Sequence, residues 1–138
     1  MIGLDTNVLA RYYVEDLGDL EAQHQRIAAR NLLESGVALM VCKTVVLEFE
    51  WVLRGYYGYS RRQIVAVLSH LLSLPHVTVE DRMLVERSVE RFESGFDFAD
   101  VLHHASYREC AEVASFDDRN FVRRARNFHL APPIKVPG

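Results

Sequence analysis

The sequence predicts an α/β domain built on a parallel sheet. Short apolar runs alternate with longer amphipathic stretches, the pattern of strands joined by crossover helices. About half of the residues are hydrophobic and a quarter charged, which is ordinary for a globular chain. No internal repeat, low-complexity tract or Gly/Ser linker interrupts the 138 residues, so one domain spanning 1–138 is expected.

Taken in order, Met1 to Leu4 reads as a buried strand with Asp5 at its end, followed by a helix from Asn7 to Tyr13. Asp19 can cap a helix from Leu20 to Glu34, which Ser35-Gly36 stops. Ala38 to Cys42 reads as the second strand, and Thr44 can cap a helix that runs to Leu53 and ends at Arg54-Gly55. Ser60 and Gln63 have capping-box spacing, and Ile64, Val67, Leu68, Leu71 and Leu72 follow at helical spacing. After Pro75 come a short strand (Val77 to Val79), a helix from Asp81 to Glu93 stopped by Gly95, and a helix from Asp97 to Cys110. A strand from Glu112 to Ser115, a helix from Asn120 to Phe128 and a proline-bounded edge strand from Ile134 to Val136 complete the pattern.

Composition narrows the function classes. No apolar run reaches the ~18 residues a membrane span needs. Nor does an amino-terminal basic and apolar leader precede the first strand, so a cytoplasmic protein without membrane partners is expected. Cys42 and Cys110 then read as buried free thiols rather than a disulfide. The formal net charge of −3 is unusual for a nucleic-acid binder, but the placement of charge matters more than its sum. Lys43 and Lys135 are the only lysines; every other fixed cation is arginine, the side chain that meets phosphate bidentately.

Among the acidic residues, four resist a simple surface explanation. Asp5 ends the first strand, where open α/β sheets bind ligands, although it also serves as a helix cap. Glu48 shares a helical stripe with Val45, Phe49 and Val52, which aims it towards the core, whereas Glu50 falls on the opposite, wet side. Asp97 and Asp100 open a helix three residues apart, a spacing that also suits Asp97 as cap with Asp100 reaching back. Asp117 and Asp118 follow the strand ending at Ser115, and Asp117, nearer the strand, is better placed to face a site. His103 and His104, one turn beyond Asp100, read as satisfied or exposed side chains rather than ligands. Carboxylates gathered within a few ångströms repel strongly unless a cation joins them. Oxygen-only ligands select Mg²⁺ or Mn²⁺ over zinc, and such sites commonly serve phosphoryl chemistry.

Four segments together resemble the PIN domain: Met-Ile-Gly-Leu-Asp-Thr-Asn-Val-Leu (1–9), Val-Leu-Glu-Phe-Glu-Trp-Val-Leu (46–53), Asp-Phe-Ala-Asp-Val-Leu-His (97–103) and Ser-Phe-Asp-Asp-Arg-Asn-Phe (115–121). More narrowly they resemble the VapC-type toxins of bacterial toxin–antitoxin pairs. The resemblance implies a PIN-like fold, a five-stranded parallel sheet flanked by helices on both faces, and a single-strand-directed ribonuclease. It carries over Asp5, Glu48, Asp100 and Asp117 as catalytic and metal-binding acids, with Asp118 the alternative to Asp117 and with Thr6, Asn7, Asp97 and Ser115 in support. It also implies Mg²⁺ or Mn²⁺, a homodimer, and a VapB-type antitoxin whose carboxy-terminal segment covers the groove.

The expected reaction is hydrolysis of an RNA phosphodiester by water activated on the metal. Two basic regions can carry the RNA: Tyr56, Tyr57 and Tyr59 with Arg61 and Arg62, and Arg119, Arg123, Arg124 and Arg126 beside Asp117. Two other readings compete. An aspartate after the first strand also serves phosphatases as nucleophile. Those of the haloacid-dehalogenase type, however, need a second aspartate where Asn7 stands, and receiver domains need a lysine that neither Lys43 nor Lys135 supplies. A non-catalytic PIN scaffold binding RNA or protein would be expected to lose acids that this chain keeps.

Overall fold

The central strand of the principal sheet, Leu39-Met40-Val41, is apolar throughout, with Leu39 and Val41 fully buried and Met40 half-buried. In a computed structural model that describes residues 1–117 and 120–138, β1 (Ile2–Gly3), β2 (Leu39–Val41) and β3 (Val77–Val79) lie parallel in the order β1-β2-β3. The register pairs Ile2 with Leu39, and Leu39 and Val41 with Val77 and Val79. Asp118 and Arg119, both named above as candidates, lie outside the described residues.

Helices α1 (Thr6–Tyr13) and α2 (Leu20–Leu33) connect β1 to β2. Asp19 caps α2 as expected, its carboxylate accepting from the backbone N–H of Glu21 and Ala22. After β2 come α3 (Lys43–Trp51), a π-helical turn (Val52–Tyr56) and α4 (Arg61–Ser73). Both arms of the Ser60–Gln63 capping box form, and Ile64, Leu68, Leu71 and Leu72 are buried. Those four side chains of the α4 stripe belong to the main core, while Val67 is only half-buried. β3 leads through α5 (Arg82–Glu93) and α6 (Phe98–Ser106) to β4 (Val113–Ala114), then α7 (Asn120–Asn127) and β5 (Ile134–Lys135). α6 ends one turn earlier than the sequence suggested.

Five parallel strands are present, but they form two sheets instead of the expected one. β4 pairs only with β5, Val113 against Ile134 and Ala114 against Lys135. The reason is visible in the packing. The outer strand β1 is two residues long and exposed, so it offers little surface for β4 to dock on. β4 and β5 instead pack on a small core of their own, with Val122, Ala125 and Ile134 at its centre and Val113 half-buried against it. The main core runs from Leu4 and Leu9 through Phe49 and Leu53 to Phe98 and Leu102.

Polar and aromatic contacts tie the smaller core to α5 and α6. The Arg124 guanidinium donates to the Gly95 carbonyl at 2.7 Å and covers the Phe96 ring at 4.7 Å. His104 is buried, its Nε2 at 2.7 Å from the Pro132 carbonyl but its Nδ1 without a hydrogen-bond partner among the described residues, so it is only half satisfied, while His103 stays exposed. Cys42 and Cys110 are free thiols; burial, however, holds for neither in full, since Cys42 is half-buried and Cys110 exposed beyond the end of α6. Among the described residues no helix is long and apolar enough to cross a membrane.

Gly95 gives a test of this joint. Its φ of +109° disfavours any side chain, and a Cβ there would stand 2.9 Å from Nη2 of Arg124. Gly95→Ala is predicted to cost about 1–3 kcal/mol in urea unfolding. Gly18→Ala, with its nearest neighbour at 3.9 Å, should change stability by no more than ~0.5 kcal/mol.

Candidate active site

Asp5 stands where the chain leaves β1 and enters α1. It is exposed, and its Oδ1 accepts the Thr6 backbone N–H at 2.8 Å, the helix-capping role open to it from sequence. Thr6 is buried beside it, and its hydroxyl has no hydrogen-bond partner. A buried hydroxyl without a partner costs about 1–3 kcal/mol unless water or another polar group meets it. Asn7 is exposed on the first turn of the same helix.

On α3 the two glutamates exchange the roles expected of them. The buried stripe is Val46, Phe49 and Leu53, one residue out of phase with Val45, Phe49 and Val52. Glu50 therefore lies inside, 1% exposed, and Glu48 lies outside with Thr44 and Trp51. Glu50 is not left as a bare buried charge, because Nε of Arg54 reaches its Oε2 at 2.9 Å. This pair, four residues apart on the helical turns, is the sequence signal that distinguishes Glu50 from Glu48. Glu48 faces solvent, with no hydrogen bond or ion pair to any described residue.

A second cluster forms where α6 begins and β4 ends. Asp97 caps α6, its Oδ2 accepting the Asp100 backbone N–H at 3.1 Å; the return bond of a capping box is not made. Asp100 is half-buried and its carboxyl is held above the usual carboxylate range. Burial is the largest cause, the charges of Asp97 and Asp117 add to it, and His103 opposes it. Asp117 sits on the loop after β4, and its backbone N–H is bonded to the Ser115 hydroxyl at 3.1 Å. Asp100, His103, Tyr107, Ser115 and Asp117 line one cleft of about 210 Å³.

The tight quartet expected from sequence is not formed as such. Asp97, Asp100 and Asp117 act on one another electrostatically. Among the described residues, however, no three histidine, cysteine or acidic side chains stand close enough to hold one ion. Division of the sheet explains this, because Asp5 ends a strand of one sheet and Asp117 follows a strand of the other. Equally, among the described residues no lysine or arginine pairs with Asp5, Glu48 or Asp100.

Several candidate RNA contacts already have structural work. The Arg61 guanidinium donates to the carbonyls of Phe92 and Phe96 at 2.6 and 2.7 Å and stacks on the Phe92 ring. Arg124 is engaged at Gly95, and Arg126 reaches the Ile134 carbonyl. Arg62 and Arg123 are exposed.

Acids at the ends of β1 and β4 and at the start of α6 are thus in place. The sequence profile of the PIN domain matches residues 2–127. The chain belongs to the PIN domain family. Neither the search of curated proteins nor that of solved structures finds a match. PIN domains are commonly metal-dependent nucleases, and the matched span contains all four candidate acids.

The strained charge of Asp100 sets a pH dependence. Its pKa is raised in the folded protein, so the native state loses stability as pH rises from the ordinary carboxylate value through the raised one. Asp100→Asn removes that loss. In EDTA the variant should melt above the wild type at neutral pH, and the difference should vanish below the ordinary carboxylate pKa. An offset that does not change with pH would contradict the assignment.

Proposed function

We propose that this PIN domain is a metal-dependent endoribonuclease of the VapC toxin type, neutralised by a VapB-type antitoxin and acting as a homodimer. The observation that carries the reading is the half-buried Asp100 with Asp97 and Asp117 beside it. Structural carboxylates in such a position normally acquire a guanidinium or ammonium partner; Asp100 has none among the described residues.

The donor set suits a hard cation. It is all oxygen, and Mg²⁺ is commonly held by one or two carboxylates with waters completing its shell, so an all-protein cage is not required. Asp100 and Asp117, which line the cleft, would hold the ion, with Asp5 and Glu48 as further oxygen donors through waters. The orphan Thr6 hydroxyl supplies a further polar contact. Once bound, Mg²⁺ or Mn²⁺ would lower the pKa of water and offset charge on the phosphoryl oxygens. The chain's own part is to present these carboxylates from the end of β1, from α3, from the first turn of α6 and from the loop after β4. An RNA phosphate entering this cleft meets like charge, which makes cleavage dependent on the added ion.

One observation favours a non-catalytic PIN scaffold: no three acidic, histidine or cysteine side chains among the described residues are poised to share an ion. Cleavage assays separate the two readings. With single-stranded RNA and Mg²⁺ or Mn²⁺ the wild type should cut internal bonds, and EDTA should stop it. Asp5→Asn and Asp100→Asn should each lose at least ~100-fold in rate, on the scale set by loss of one preorganised electrostatic group. Comparison of Asp117→Asn with Asp118→Asn decides which of the tandem belongs to the site. Cleavage that persists in EDTA, or in Asp5→Asn, would rule the proposal out.

A further inference from the structure

The π-helical turn after α3 has no role in the site as described so far. The backbone N–H of Tyr57 bonds to the Val52 carbonyl, which widens the helix by one residue. Such turns are rare and frequently occur at functional sites. This one presents two large exposed rings, Trp51 at 58% and Tyr56 at 75%. Trp51 lies on the solvent face of α3 one turn after Glu48, which places the two side chains as neighbours. The indole lies over Gly55, where a Cβ would stand at ordinary van der Waals distance, 3.6 Å, from the ring. The other face of the indole is left to solvent.

Tyr56 stacks edge-on against Tyr57 with centroids 4.8 Å apart, and the Tyr57 hydroxyl is 3.2 Å from Nη1 of Arg11. Arg11 belongs to α1 and lines a groove of about 300 Å³ with Asn7, Val8, Gln25 and Leu32. Its guanidinium contacts are the neutral oxygens of Gln25 and Tyr57, and no described carboxylate pairs with it. A groove that begins close to Asp5 thus leads, by way of Arg11, whose guanidinium pairs with no described carboxylate, and of Tyr57 to the exposed Tyr56 ring, with the exposed Trp51 five residues before it at the end of α3. Those are the elements that bind single-stranded nucleic acid: cations for the backbone and rings for unpaired bases.

We propose that Arg11, Trp51 and Tyr56 form the path by which single-stranded RNA reaches the site, one phosphate meeting Arg11 and unpaired bases stacking on the two rings. The proposal rests on the ribonuclease reading and adds its binding determinants. Duplex RNA, whose bases are already stacked, has nothing to offer the rings.

Trp51 is the sole tryptophan, so its emission reports on the path directly. In EDTA, which prevents turnover, a ten-nucleotide single-stranded oligouridine or oligoadenosine should quench the emission saturably. A duplex of equal length should leave it unchanged. Arg11→Gln should lower the slope of log affinity against log salt by about one. In cleavage, Trp51→Ala should raise KM about tenfold, with a smaller effect on kcat. Trp51→Phe, which keeps a ring and protects against misfolding, should fall between.

Emission unmoved by single-stranded RNA that the protein cleaves, or a wild-type KM in both Trp51 variants, would overturn the proposal. So would a Trp51→Ala variant that changes only oligomeric state or capture of a protein partner, since the face would then be a protein interface. If no RNA is cut with either metal, the nuclease reading fails instead, and the quenching titration still decides whether RNA uses this path.

Discussion

Asp100 carries a carboxyl whose charged form this fold disfavours, and the candidate site is arranged around it. Its carboxylate is partly withdrawn from water and sits in the fields of Asp97 and Asp117. Two elements impose the arrangement. The cap that starts α6 needs Asp97 where it is, and the loop after β4, pinned by Ser115, delivers Asp117. The usual remedy for such a charge is a buried guanidinium, and elsewhere the chain uses it, on Glu50. Asp100 lacks it among the described residues.

Local signals were legible in the sequence where one residue type had one physical solution. Asp19 and the Ser60–Gln63 box cap their helices as their spacing requires, because orphan helix N–H groups have few alternatives. All five strands were found, and so was the position of Asp5 at the end of the first. What failed were questions of phase and of long-range pairing. Val45, Val46, Phe49, Val52 and Leu53 offer two overlapping apolar stripes on α3, and only packing on the core selects Val46, Phe49 and Leu53. That single step exchanges the environments of Glu48 and Glu50. The Arg54 partner four residues after Glu50 was the discriminating clue.

Division of the sheet was less accessible. Strands of two residues carry almost no pairing information, so which neighbour each selects depends on the helices that cover it. α7 gives β4 and β5 a separate apolar core, and Arg124, Phe96 and His104 stitch that core to α5 and α6. The π-turn was likewise concealed, since Arg54-Gly55 reads as a helix stop and instead lies within a widened helix. Both departures bear on function. One places Asp5 and Asp117 on different sheets, and the other ends on the exposed Tyr56, five residues after the exposed Trp51 of α3.

The claim on which all of this depends is that carboxylates from both sheets share a divalent ion. Calorimetric titration of Mn²⁺ into the wild type, Asp5→Asn, Glu48→Gln, Asp100→Asn and Glu50→Gln tests it without reference to activity. The account predicts saturable binding that is weakened at least about tenfold by each of the first three substitutions and little by Glu50→Gln, whose carboxylate Arg54 already occupies. Absence of binding, or binding indifferent to Asp5, Glu48 and Asp100, would contradict it.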